Sequence, residues 1–159
     1  MVEFTPYTLN EAKQSASLSR PLRVYADGVF DLFHYGHFQF LRQIRDAFPD
    51  AVILAGVIAG TKVMEVKGAH PVMSDDERAE SLRASGFVDE VIMDAPYYPN
   101  LLFLDTFKID ILAHDDLPYP APGGDAFEEF KNADRFLSTK RTEGISTSDI
   151  IERIVSNAE

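Results

Sequence analysis

Residues Ala51–Ile58, AVILAGVI, form an unbroken apolar run. Such a run is what a central parallel strand buried on both faces requires, and it commits the rest of the chain to covering two faces. The flanking segments read accordingly. Leu22–Ala26 is expected as a first strand ending in the turn signal Asp27-Gly28. His37 to Phe48 reads as a helix with Phe40, Leu41, Ile44 and Phe48 on one face. Residues 59–73 look like loop, and Ser74 followed by Glu77 is a capping box that opens a helix to Ser85. Val88–Met93 is a third strand, Leu101–Phe107 a short helix and Ile109–Ala113 a fourth strand. A Pro/Gly-rich loop over 114–124 precedes a helix at Asp125–Ala133, a last strand at Arg135–Thr139 and a closing helix at Thr147–Val155. Residues 1–20 read as a partly mobile lead-in to a single domain over 21–159.

Strand and helix alternate throughout, which predicts an α/β fold with a mainly parallel sheet. Right-handed crossovers make that sheet doubly wound. Ligands of such sheets sit beyond the carboxyl ends of the strands. Four segments fall there: 27–37, 59–68, 114–119 and 140–147.

Charge narrows what those segments bind. The net charge of −11 argues against nucleic acid as a nonspecific partner, which needs dense Lys and Arg. An anionic small ligand needs a local positive cluster against that field. No apolar run reaches the roughly 18 residues of a membrane span, so no membrane segment is expected. The chain has no cysteine, which excludes disulfides and thiolate metal sites and suits a reducing compartment, read as the cytoplasm.

The segment Asp27–His37, DGVFDLFHYGH, supplies part of such a cluster. His34 and His37 straddle Gly36 where a helix begins. The free N–H groups and dipole of that terminus suit a phosphate, imidazoles there can donate to its oxygens, and Gly36 allows close approach. A metal pair or two capping histidines would use the same residues. The position after a strand and turn favours phosphate. The segment Lys140–Ser148, KRTEGISTS, is a second anion nest. Arg141 can fork onto phosphate, Gly144 breaks the chain, and Ser146, Thr147 and Ser148 lie at a helix start. A polar loop with an N-cap explains it too, but two nests with Lys67 between them suit a triphosphate.

Together, DGVFDLFHYGH, VDEV, AHDD and RTEGISTSDII resemble the catalytic domain of the choline-phosphate cytidylyltransferase family, from Arg23 to Val155. The family's H-x-G-H signature stands here as His34-Tyr35-Gly36-His37. The resemblance implies a Rossmann-like nucleotidyltransferase domain that transfers CMP from CTP to phosphocholine, by in-line attack on the α-phosphorus and without a covalent intermediate. It assigns catalysis to His34, His37, Lys67 and Arg141. CTP would be held by Asp27, Gly28, Phe30, Gly36, His114, Arg141, Thr142, Gly144, Ile145, Ser146 and Thr147. Phosphocholine would be held by Lys67, Tyr97, Asp115, Tyr119 and Phe127, an aromatic cage with a carboxylate. Mg²⁺ is expected on the triphosphate, with no protein metal site, and a homodimer is implied. Phosphoethanolamine or glycerol phosphate as acceptor, or a catalytically weak scaffold, are the alternatives. The chain departs from the family pattern in having Tyr97 for tryptophan, Phe127 for tyrosine, Ala59-Gly60 for a Ser-Asp pair and a KGAHPVM segment one residue longer. It has Gly86 where the family has a phosphate-holding arginine, which Arg78 or Arg83 would have to replace.

Overall fold

In a computed structural model, which describes residues 3–14 and 18–158, the elements run α1 (Leu9–Gln14), β1 (Arg23–Ala26), α2 (Tyr35–Ala47), β2 (Val52–Ile58), α3 (Gly60–Lys67), α4 (Asp75–Ala84), β3 (Glu90–Ala95), α5 (Leu101–Thr106), β4 (Ile111–Asp115), β5 (Pro120–Ala121), β6 (Gly124–Asp125), α6 (Glu128–Asn132), β7 (Phe136–Thr139) and α7 (Thr147–Ala158). Five strands pair in the order β3-β2-β1-β4-β7, every pair parallel. That is the doubly wound order, with β1 beside β2 and β4. The expected fold class therefore holds.

Alternation along the strands builds two cores. Val24, Ala26, Ile53, Ala55 and Val57 face one side, where Leu41 and Ile44 of α2 and Ala79 and Leu82 of α4 cover them. Tyr25, Leu54 and Leu112 face the other, against Leu104 of α5 and Phe127, Phe130 and Phe136. Each fully buried large apolar side chain contributes about 1.5–3 kcal/mol, so β2, apolar on both faces, anchors both layers. Gly56 in β2 is required by a neighbour: a Cβ there would lie 1.9 Å from the Tyr25 hydroxyl, because the Tyr25 ring crosses over β2 toward Ala95.

Three sequence expectations change. Residues 59–73 are not all loop, since Gly60–Lys67 is helical. Its N-cap, Ala59, has no capping side chain, and only Val63 is buried, so neither a cap nor a periodic face marked it in the sequence. The cap comes from elsewhere, as the Gly60 N–H donates to Asp75 Oδ1 (2.9 Å). The helix expected over Asp125–Ala133 shortens to Glu128–Asn132, because residues 120–125 close a small antiparallel hairpin first. In the lead-in, α1 is tied to the domain: Leu9 N–H donates to Asp134 O (2.6 Å) and Tyr7 N–H to Asp110 Oδ1 (2.9 Å). Those partners lie more than a hundred residues away, beyond any local pattern. Residues 1, 2 and 15–17 of the lead-in lie outside the described residues.

Candidate active site

At the carboxyl ends of β1, β2 and β4 a cavity of about 490 Å³ opens. Its walls come from all four segments expected there. Every candidate site residue named from the sequence lines it except Gly144. Gly144 (φ 77) makes the left-handed turn before α7, and its carbonyl accepts from Arg153 (3.0 Å). The walls also include Val29, Asp31, Phe40, Ile58, Ala126, Thr139 and Lys140. Val29, Asp31 and Lys140 lie inside the two motifs read from the sequence, and Thr139 adjoins the second. Phe40, Ile58 and Ala126 had no signal apart from the core pattern.

The β1–α2 turn is strained. Phe30 (φ 57) and Leu32 (φ 48) hold left-handed conformations that non-glycine residues avoid. The buried Asp31 carboxylate secures it by accepting N–H groups from Val72 (2.8 Å), Met73 (2.9 Å) and Leu32 (3.1 Å). The turn delivers His34 to the N-cap of α2, where the Gly36 N–H donates to His34 Nδ1 (3.0 Å) and the His34 N–H donates to His37 Nδ1 (3.2 Å). Phosphate binding and capping are thus compatible uses of the same pair. With Nδ1 accepting, each neutral ring must carry its proton on Nε2. The rings stack at 3.8 Å, so two charged imidazoles would repel. Burial lowers the pKa of His34; burial and then the His34 charge lower that of His37 to about 3. The pair is therefore two neutral Nε2–H donors. Gly36 has a second reason beyond ligand access: a Cβ there would sit 2.9 Å from the folded-over His34 ring.

The second nest faces the first. Thr147 Oγ1 donates to Asp31 O (3.0 Å) and lies 3.4 Å from His34 Nε2. Ser146 Oγ accepts from Asp149 N–H (3.1 Å) and donates to Asp149 Oδ2 (2.7 Å). Both hydroxyl protons are thereby spent on the fold, which leaves Arg141 and the backbone amides as the donors an anion could meet there. Lys67, at the end of α3, stands exposed at the rim.

Aromatic rings gather at the other end. His114 stacks on Phe127 (4.6 Å between centroids) and meets Tyr119 edge-on (4.7 Å). The Asp115 carbonyl, 3.2 Å from His114 Nδ1, can only accept, so Nδ1 carries the proton and Nε2 is a free acceptor. Burial lowers the His114 pKa. Each Asp115 carboxyl oxygen accepts one hydrogen bond, from Tyr119 OH (2.9 Å) and from Leu117 N–H (3.1 Å), and keeps a lone pair for another donor. Asp27 is buried, its Oδ1 has no hydrogen-bond partner among the described residues, and burial raises its pKa to about 7. Tyr97 faces it, packed against Ile58, Val63 and Ala95; burial and then Tyr98 and Asp27 raise the Tyr97 pKa.

Neither candidate replacement for the arginine absent at Gly86 reaches this cavity. Arg78 is fully buried and donates to Val29 O (3.1 Å), Ile58 O (2.8 Å) and Asp75 Oδ1 (2.6 Å). Arg83 pairs with Glu80 on the surface of α4. Gly86 itself precedes β3, at the opposite end of the sheet from the cavity. The cavity as formed by this chain therefore does not lack a cation on account of Gly86.

Residues 25–153 match the cytidylyltransferase-like family model. The chain is 50% identical over 146 residues to choline-phosphate cytidylyltransferase 2 of Arabidopsis thaliana, covering 90% of this chain and 48% of that protein. It is 44% identical over 159 residues to human choline-phosphate cytidylyltransferase A, covering 97% of this chain and 43% of that protein. The chain thus spans about half the length of the curated relatives it matches. A lipopolysaccharide core biosynthesis protein from Thermoplasma volcanium GSS1 shares the fold, with a TM-score of 0.61 at 18% identity over 77% of this chain and 98% of that one.

Proposed function

The chain belongs to the cytidylyltransferase-like family, and from that premise we propose that it transfers CMP from CTP to phosphocholine and releases pyrophosphate. One observation carries the acceptor: Asp27, a buried carboxyl whose Oδ1 has no hydrogen-bond partner among the described residues, lines the same cavity as Tyr97, Tyr119, Phe127 and the His34/His37 donors. A trimethylammonium group suits that recess, because it brings a charge for Asp27 and no N–H that needs an acceptor. Asp115, which also lines the cavity, keeps its charge, so Asp27 joins it as an ammonium contact rather than replacing it. Tyr97, Tyr119 and Phe127 form walls, and Asp115 orients Tyr119.

In this reading an acceptor phosphate oxygen attacks the α-phosphorus of CTP in line, the bond to the β-phosphate oxygen breaks, and pyrophosphate leaves. Negative charge grows on the α-phosphate oxygens, where the His34 and His37 Nε2–H groups donate without any proton transfer. Lys67 spans the two substrates, and Arg141 with the amides of 145–147 holds the β- and γ-phosphates. Mg²⁺ enters on the nucleotide. Among the described residues no three His, Asp or Glu side chains gather as a metal ligand set, so phosphate and water oxygens would supply its ligands.

Pyrophosphate release with CTP and Mg²⁺, measured against phosphocholine, phosphoethanolamine and glycerol phosphate, tests the reading. Phosphocholine should win. Equal use of phosphoethanolamine at matched subsaturating concentrations would sink the acceptor assignment. We read the assembly as a homodimer pairing the region of β1 with Val88–Val91. Sedimentation as a single species near 17.8 kDa at micromolar concentration would refute it. The cytoplasm is our reading of its compartment, on the lack of cysteine. Among the described residues no helix is long and apolar enough to cross a membrane.

A further inference from the structure

The arm that carries Arg141 is held at two ends. Downstream, Ser146 and Thr147 fasten it through Asp149 and Asp31. Upstream, the β4–β7 ladder stops at the pair Asp115 and Thr139. Lys140, the next residue, has both of its backbone groups taken by one side chain. Its N–H donates to Gln43 Oε1 (2.7 Å), and its carbonyl accepts from Gln43 Nε2 (2.9 Å). The Gln43 amide imitates the edge of a neighbouring strand and extends the sheet by one residue. Its orientation is forced, since reversing it would set donor against donor and acceptor against acceptor. The second Nε2 hydrogen goes to Gln39 O (3.2 Å), which fixes the amide to its own helix.

Gln43 belongs to α2, the helix whose first turn carries His34 and His37. Nine residues of helix at 1.5 Å each put it about 13 Å along the axis from His34. Leu41 and Ile44, on either side of it, are fully buried, so this stretch of α2 is rigid. Between the two fastenings, the backbone of residues 141–143 makes no hydrogen bond among the described residues. The Arg141 side chain is exposed. The guanidinium lies beside the Tyr119 hydroxyl, and the Lys140 clamp sets the backbone from which it reaches that place.

We propose that Gln43, which does not line the cavity, is a positioning residue for the triphosphate. It sets Arg141 at a fixed distance from the two histidines, using α2 as the common frame. The proposal rests on the reading of Arg141 as the β- and γ-phosphate clamp. It predicts a defect in triphosphate affinity that spares the nucleoside monophosphate end.

Gln43→Met keeps the length of the side chain and removes the clamp. Calorimetry should show affinity for CTP with Mg²⁺ falling about tenfold, while CMP affinity stays within about twofold and the melting temperature falls by only a few degrees, roughly what two lost internal hydrogen bonds cost. In an Arg141→Ala background the same substitution should cost CTP nothing further, since both changes act on one interaction. Unchanged CTP affinity in Gln43→Met, equal losses for CTP and CMP, or a full additional loss in the Arg141→Ala background would each overturn the role of Gln43 and leave the reading of Arg141 standing. Arg141→Ala alone reads that second point. If it leaves CTP affinity intact, the phosphate clamp is misassigned and the proposal falls with it.

Discussion

Two buried carboxylates stand at opposite ends of the sheet, and they are treated in opposite ways. Asp110, before β4, is fully buried and saturated. It accepts from the backbone of Tyr7 (2.9 Å) and Arg23 (2.9 Å) and takes both Arg20 nitrogens (2.7 and 2.8 Å). Asp27, just after β1, is also buried, yet its Oδ1 has no partner. Burying a charge is costly unless it is paired and hydrogen-bonded. The amino end of the sheet meets that cost internally and binds the N-terminal segment to the core. The carboxyl end leaves it unmet, which is reasonable where a ligand will supply the missing charge. In the proposed function the contrast separates a residue kept for stability from one kept for binding, although composition and burial alone would class them together.

The largest expected effect tests the saturated end. Asp110→Ala leaves two backbone N–H groups and a guanidinium without their acceptor and should cost about 3–5 kcal/mol of stability. Urea denaturation measures this, and turnover of the fraction that remains folded should be near normal. A loss below about 1 kcal/mol would mean that the N-terminal segment is not a structural tie.

At the opposite end, His34→Ala or His37→Ala should reduce turnover by about 10²-fold or more, the scale of one lost donor to transition-state charge. Both should also cost stability. His34 and His37 together form the capping box of α2, so either loss should cost roughly 1 kcal/mol. Near-native turnover in both variants would remove the pair from the chemistry.

Asp27→Asn sharpens the contrast directly. The folded pKa of Asp27, about 7, lies above that of the unfolded chain. Wild-type stability from this group is thus complete below the unfolded pKa of roughly 4 and is lost as pH rises through about 7. Above that pH, Asp27→Asn should be more stable than wild type by about 1–3 kcal/mol, whereas at pH 4 the two should agree. Acceptor kcat/KM of wild type should rise with pH through about 7, and Asp27→Asn should be weak and lack that inflection. A destabilised Asp27→Asn at pH 8 would make Asp27 a structural residue like Asp110. The smallest effect is Tyr97→Ala, which should weaken phosphocholine by about 0.5–2 kcal/mol, the worth of one cation–aromatic contact. CTP affinity, measured by calorimetry, should be unchanged.

Much of this was readable from residue order. The run at Ala51–Ile58 and the alternation around it implied a doubly wound sheet, because a strand apolar on both faces has few other places to go. The histidine pair and the Arg141 segment pointed to one cavity at the strand ends, because helix starts with glycine, hydroxyl and basic residues have their own local signature. What remained hidden was whatever depended on partners distant in sequence. The helix Gly60–Lys67 has its cap supplied by Asp75, and Arg78 looked free for phosphate until its partners at Val29 and Ile58 were seen. The contact that holds Lys140 comes from Gln43, 97 residues away.

The same division applies to the acceptor site. The sequence alone determined which residue types were at hand: carboxylates at Asp27, Asp115 and Asp116, with aromatics at Tyr97, Tyr119 and Phe127. Only the tertiary structure decided which carboxylate is already hydrogen-bonded. Asp115 accepts from a hydroxyl and an amide of its own loop, while Asp27 is carried by β1 to a buried position where its Oδ1 meets no donor among the described residues. Residue identity sets what a side chain can donate or accept, but whether that capacity is already spent depends on the neighbours that folding brings within 3 Å or so, and those neighbours are set by packing across the whole chain.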